Sequence, residues 1–200
     1  MKITVSDPSL VLLVGAAGCG KSTFARKHFR PTEVVSSDFC RGLVADDEND
    51  QSASRDAFDV LHLITARRLA RRRLTVIDAT NVRAEARAPL LAMARHYACD
   101  SFAIVFDLPE EVCRAWDQRR ARSVGLDVIR QQREHLRRSL DGLPREGFLH
   151  VYVLSSPEEV AAAVVERRAP VPHLEQGRWI VRQLVPRTPP ARLEPEDKGP

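Results

Sequence analysis

Gly15-Ala16-Ala17-Gly18-Cys19-Gly20-Lys21-Ser22 decides how the chain folds. Leu10-Val14 precedes it, a continuous apolar run suited to a strand covered on both faces. Lys21-Phe29 follows as a helix. The glycines let successive backbone N–H groups turn inward onto phosphate oxygens, and the helix N-terminus adds a dipole that favours an anion. A strand, a glycine-rich loop and a helix form the context in which a G-x-x-x-x-G-K-S match carries meaning. There Lys21 reaches the β- and γ-phosphates of a nucleotide and the Ser22 hydroxyl ligates magnesium. Gly15, Ala16, Ala17, Gly18, Cys19, Gly20 and Thr23 complete the phosphate cradle. The competing reading is a chance match, or a loop that holds phosphate without turnover.

Outward from the loop, apolar runs of strand length alternate with longer helical patterns, which argues for a parallel α/β sheet. Strands are expected at Glu33-Ser36, Leu74-Asp78, Phe102-Asp107 and, as the last one, Phe148-Leu154. Helices are expected over Arg55-Arg73, Ala84-Ala98, Pro109-Arg120 and Asp127-Leu140, with a final short helix capped by Ser156. The expected fold is therefore a P-loop kinase fold: a five-stranded parallel sheet flanked by helices, with a helical lid. Arg67-Arg68 and Arg71-Arg72-Arg73 sit where cations offset a helix dipole; RNA contact is the other reading. Beyond about Arg168 the composition changes to crowded prolines, from Pro170 to Pro200. We expect a domain over 1–168 and a Pro-rich tail or inter-domain linker over 169–200.

The chain has 200 residues, 44% hydrophobic and 29% charged, enough for one core. A net charge of +4 permits a polyanionic partner without requiring one. Cys19, Cys40, Cys99 and Cys113 show no metal-ligand spacing and suit a reducing cytosol. No run approaches 18 apolar residues and no secretory signal opens the chain, so we expect a cytoplasmic protein with no membrane partner.

Three further stretches carry chemistry. Ser36-Ser37-Asp38-Phe39-Cys40-Arg41 ends the second strand, where an open α/β sheet lines its ligand crevice. Asp38 there can accept a proton from an attacking hydroxyl, and Arg41 can hold an acceptor phosphate by a bidentate contact. Alternatively Asp38 caps the next helix and Arg41 pairs with a surface acid. Asp78-Ala79-Thr80-Asn81 ends the third strand. Asp78 can hold a magnesium-bound water or serve as a turn residue, and Asn81 can touch the acceptor. Trp116-Asp117-Gln118-Arg119-Arg120-Ala121-Arg122, with Gly125 as a hinge, lies where small P-loop kinases carry a mobile lid. Its arginines can neutralise charge on the transferred phosphoryl group, or form a solvated helix end. Trp116 and Arg120 share a helix face and could stack on a nucleobase, or Trp116 could pack into the core. No Asn-Lys-x-Asp guanine signature is present, and the chain lacks the length of a large ATPase.

At these residues the chain resembles a known family. GAAGCGKSTFARKHFRPTEVVSSDFCRGLVADDEND (15–50), LTVIDATNV (74–82) and REGFLHVYVLSSPEEV (145–160) look like the kinase domain of bacterial polynucleotide kinase-phosphatase, an end-healing enzyme of RNA repair. The resemblance implies transfer of the γ-phosphate of ATP, or another NTP, to 5′-hydroxyl ends of RNA or DNA with Mg²⁺. It places Lys21 and Ser22 on the phosphate and magnesium positions, and Asp38 on the general base. It places Arg41 on the acceptor's 3′-flanking phosphate and Arg120 on a lid arginine. Trp116 departs from it, since the family can carry arginine there. The family's longer chains add phosphatase and ligase domains, which the resemblance implies as partners in a longer protein. Two rivals stand beside this reading: a small-molecule P-loop kinase, and a nucleotide-gated module that grips nucleic acid without turnover.

Overall fold

Seven consecutive buried residues, Ser9–Gly15, form the central strand of the main sheet as β2, with Lys2–Ser6 before it as β1. The computed structural model describes residues 1–119 and 123–169, and the backbone of 174–175 and 178–179. Along β2 the side chains alternate between two cores, as the twofold period of a strand requires. Leu10, Leu12 and Val14 enter one core with Leu61, Leu90 and Leu136. Val11 and Leu13 enter the other with Phe24, Phe29, Cys113, Ile129 and Leu154.

Helix α1 (Lys21–His28) follows the loop. Strand β3 (Val34–Ser36) runs directly into α2 (Ser37–Ala45), whose N-cap is Ser36: its hydroxyl accepts the Phe39 N–H at 3.4 Å. Next come α3 (Ser54–Ala70), β4 (Thr75–Asp78), α4 (Ala84–His96), β5 (Asp100–Phe106), α5 (Glu110–Asp117), α6 (Leu126–Leu140), β6 (His150–Leu154) and α7 (Pro157–Ala162). The sheet order β3-β4-β2-β5-β6 is parallel throughout, so the five-stranded sheet and its flanking helices are as expected. Because β2 has β4 on one side and β5 on the other, the chain reverses its winding at β2. Ligands of open α/β sheets bind at such a switch point.

Phe148-Leu154 is not the last strand. Val164–Arg168 forms β7, paired in parallel with β1 as a separate two-stranded sheet. Polar residues dominate Val-Val-Glu-Arg-Arg, so its periodicity gave no strand signal; pairing with β1 decides it. The helix expected to reach Arg73 ends at Ala70, because Arg72 takes a left-handed conformation at φ 55°. Arg68 donates to the Leu74 carbonyl at 2.7 Å and Arg72 to the Ala98 carbonyl at 2.9 Å, so this basic end ties down local backbone. Ser156 does cap its helix, accepting the Glu159 N–H at 3.2 Å.

Helix α6 takes an unusual course. Ile129 is buried in the core on one face of the sheet and Leu136 in the core on the other. The helix therefore crosses over the sheet's end, and residues midway between these anchors lie over the glycine-rich loop. The chain divides into two units, Met1–Pro170 and Val171–Pro200. In the second, Leu174–Glu175 (β8) pairs antiparallel with Arg178–Trp179 (β9). Of the tail expected over 169–200, all but residue 169 and the backbone of 174–175 and 178–179 lies outside the described residues.

Candidate active site

The loop after β2 is shaped by what lies behind it. Gly18 and Gly20 hold φ values of 74° and 85°, a region that side chains strain to enter. A Cβ on Gly18 would stand 2.2 Å from the Cys113 carbonyl oxygen, and one on Gly20 would stand 3.0 Å from the Trp116 ring. Helix α5 is thus pressed against the loop, which explains both glycines by contact as well as by torsion. The Gly15 N–H donates to the Thr80 carbonyl at 2.9 Å, joining the ends of β2 and β4. Lys21 is buried; its ammonium donates to the Gly15 and Ala16 carbonyls at 2.9 and 2.7 Å. Ser22 follows in the first turn of α1, half-buried, and Thr23 is exposed beside it.

Cys19 lies within the loop, 3.5 Å from the Lys21 ammonium. Burial pushes its thiol above the usual range, against the pull of the Lys21 charge. Burial pushes Cys113 up as well, to about 12, with the neighbouring Cys19 adding to it. Both thiols therefore stay neutral near pH 7 and put no negative charge beside a phosphate site.

Asp38 and Arg41 lie one helical turn apart in α2. Arg41 donates to Asp38 Oδ1 from both terminal nitrogens, at 3.0 and 2.7 Å, and to the Glu48 carbonyl at 2.7 Å. The Arg41 side chain is 9% exposed and that of Asp38 is 49% exposed, so a fixed cation holds a carboxylate open to solvent. Arg41 Nε is buried with no protein acceptor. Ser36, not Asp38, caps the helix, and the acid that Arg41 pairs with is Asp38 itself.

Asp78 closes β4, in register with Leu13 of β2 and Ser36 of β3, and is buried. This places it at the same sheet end as the loop and the Asp38 helix. A hydroxyl at Ser22 and a carboxylate at Asp78 are hard oxygen donors of the kind magnesium takes, alongside substrate phosphates. Asn81 is buried in a left-handed conformation, its amide donating to the Leu13 carbonyl at 2.8 Å. Its own carbonyl accepts from Arg87 at 2.6 Å, and Arg87 is wholly buried in an ion pair with Glu146. The Asn81 amide donor is thus spent on the sheet end, and its side-chain Oδ1 is buried without a protein partner.

Trp116 is partly buried against the core beneath α5, with its ring on Gly20. It touches the loop directly. Arg120 lies outside the described residues. Asp117, buried, accepts from the Ser123 hydroxyl at 2.5 Å and the Val124 N–H at 3.0 Å, and so anchors the far side of the segment expected to be a lid. Gly125 follows at φ 89°, with open space where a Cβ would be.

Sequence reasoning passed over Gln132 of α6. Its Oε1 accepts the Ala17 N–H at 2.7 Å. Arg87 and Glu146 were missed for the same reason, since 59 residues separate them until the chain path brings them together, and Asp117 was passed over as one acid in an arginine-rich stretch. Gln132 also lines a cleft with Thr80, Val82, Arg83, Gln131 and His135 beside the loop.

The model of a family described as AAA domain matches residues 10–143. A chain of the Pnkp1/Rnl/Hen1 RNA repair complex is similar at TM-score 0.57 and 25% identity, over 68% of this chain and 46% of that one. The described protein thus spans less than half of that chain. A component of the PezAT toxin–antitoxin system of Streptococcus pneumoniae is similar at TM-score 0.54 and 14% identity, over 77% and 69% of the two chains. Shikimate kinase from Acinetobacter baumannii, in complex with shikimate, is similar at TM-score 0.50 and 16% identity, over 77% and 88%. The latter two likenesses show the fold alone. No curated protein matches the chain.

Proposed function

We propose that this chain, which belongs to the AAA domain family and has the P-loop kinase fold, transfers the γ-phosphate of a nucleoside triphosphate to the 5′-hydroxyl end of RNA or DNA. The observation that carries this reading is the Asp38–Arg41 pair at the end of β3. Arg41 is fixed by two acceptors and nearly buried, while Asp38 faces solvent. A polynucleotide end offers a hydroxyl to deprotonate and, one nucleotide on, a phosphate to grip. A half-open carboxylate beside a pre-oriented guanidinium matches both demands. The similarity to a chain of an RNA repair complex supports the same acceptor class.

In this reading the loop N–H groups and Lys21 hold the β- and γ-phosphates. Ser22 and Asp78 would hold Mg²⁺, which when bound would neutralise charge on the phosphates. Asp38 orients the 5′-hydroxyl and takes its proton as the O–P bond forms. Phosphoryl transfer passes through a loose transition state, so alignment is most of what the protein supplies. Arg41 takes the acceptor's first internal phosphate. Trp116 and Arg120 offer stacking surfaces to the nucleobase without reading its edge, and Asn81 keeps the end of β4 in place beside the acceptor.

We place the kinase domain over 1–168, with 169–200 as a Pro-rich tail or inter-domain linker. Incubating the protein with γ-labelled ATP, Mg²⁺ and either a 5′-hydroxyl oligonucleotide or a panel of sugars and hydroxy acids tests the acceptor. Label on the oligonucleotide is expected. Label on a small molecule supports a metabolite kinase, and oligonucleotide binding without label supports a gripping module.

A further inference from the structure

Gln132 stands midway between the two residues that pin α6, Ile129 in one core and Leu136 in the other. That crossing fixes its Cα over the loop and leaves the side chain half-buried, with its Oε1 on the Ala17 N–H. In a loop whose N–H groups cradle β- and γ-phosphate oxygens, this donor already has a side-chain acceptor 115 residues away in sequence. The acceptor is neutral. A phosphate oxygen is anionic and accepts a roughly twice stronger hydrogen bond from the same N–H. The cleft beside Gln132, toward Thr80 and His135, gives the amide room to swing aside.

We propose that Gln132 is a terminal-phosphate sensor. Its amide oxygen holds the Ala17 N–H until the γ-phosphate of a triphosphate takes that donor. The displaced amide then turns its NH₂ group, which has two hydrogens to donate, onto the same phosphoryl group. A diphosphate ends short of this exchange and leaves the Gln132–Ala17 bond in place. Helix α6 is thereby coupled to the length of the bound phosphate chain, and the loop discriminates triphosphate from diphosphate. This rests on reading the loop as a nucleotide-phosphate site and is independent of the acceptor's identity.

The test is calorimetric binding of ATP and ADP with Mg²⁺ and no acceptor, on the wild type, Gln132→Ala and Gln132→Glu, with melting temperature measured alongside. The Gln132→Glu change sets a carboxylate against the Ala17 N–H, which binds that donor more firmly and repels phosphate. It should weaken ATP by about ten- to hundredfold and ADP far less. Gln132→Ala should reduce the ATP-over-ADP preference by about tenfold with the melting temperature preserved. A merely structural contact would move both affinities together. An ATP/ADP ratio equal to the wild type's in both variants overturns the proposal. A wild type that binds neither nucleotide overturns the loop reading and this inference with it. A wild type that binds ATP but labels no oligonucleotide overturns only the acceptor assignment.

Discussion

In the proposed reading, the donor and acceptor halves of the site are built in opposite ways. On the donor side, α5 is packed so closely on the loop that Gly18 has no room for a methyl group, and Lys21 is buried among loop carbonyls. On the acceptor side, α2 presents Asp38 half-exposed, with Phe39 and Leu43 more than half exposed beside it. A tight cradle specifies its ligand by shape. An open ledge specifies only chemistry, here a carboxylate next to a guanidinium. The donor can therefore be read from geometry, whereas the acceptor has to be read from the functional groups that meet it.

Breaking the donor half should have the largest effect. Lys21→Ala should leave the fold intact and reduce phosphoryl transfer by about 10³-fold to any acceptor, because a charge on the β- and γ-phosphates is lost. A folded variant with near-normal turnover would remove Lys21 from the mechanism. Breaking the acceptor half should leave nucleotide binding untouched. Asp38→Asn should lower kcat by about 10²-fold at neutral pH, whereas Arg41→Ala should mainly raise the oligonucleotide KM. If Asp38→Asn also weakens ATP binding, the two halves are not separable and the comparison fails.

Gly18→Ala sharpens it from the structural side. The left-handed torsion and the Cys113 carbonyl should make this small change cost about 1–3 kcal/mol of stability, read by denaturant unfolding, together with weaker ATP binding. The same change at Gly125, where the space is open, would carry the torsional part alone. The smallest effect concerns Trp116. As a stacking surface, its loss in Trp116→Ala should raise the KM of ATP, GTP, CTP and UTP by similar factors, about tenfold, since every base has a π-face. As a core residue, its loss should instead cost roughly 3–5 kcal/mol of stability. Its position, on the loop at Gly20 yet partly covered, makes the size of each component a direct measure of how far the donor half extends beyond the phosphates. A hundredfold preference of the wild type for ATP would exclude base-blind stacking.

The strands were legible wherever a buried run was long and apolar. Leu10-Val14 and Phe102-Phe106 announce themselves, because a strand covered on both faces is filled mostly by apolar residues, whereas the polar starts at Ser9, Asp100 and Ser101 were not legible. β7 was not legible, since its side chains are mostly exposed and only pairing with β1, some 160 residues earlier, makes Val164–Arg168 a strand. Asp38 and Arg41 could be nominated because one helical turn separates them, and the structure does join them. Their relation to Glu48 could not be, as it depends on how the chain turns after α2.

The amino-acid sequence by itself determined the glycine-rich loop, its strand and helix, and the local spacing of Asp38, Arg41, Asp78 and Trp116. Torsional preference, periodicity and turn spacing act within a few residues and are written in adjacent letters. Only the tertiary structure decided that α6 crosses over the sheet's end to put Gln132 on Ala17, and that Glu146 is brought to the buried Arg87. Those contacts turn on where separate segments are carried by the packing of two cores. A lone polar residue on a helix carries no mark of the partner that packing will bring to it.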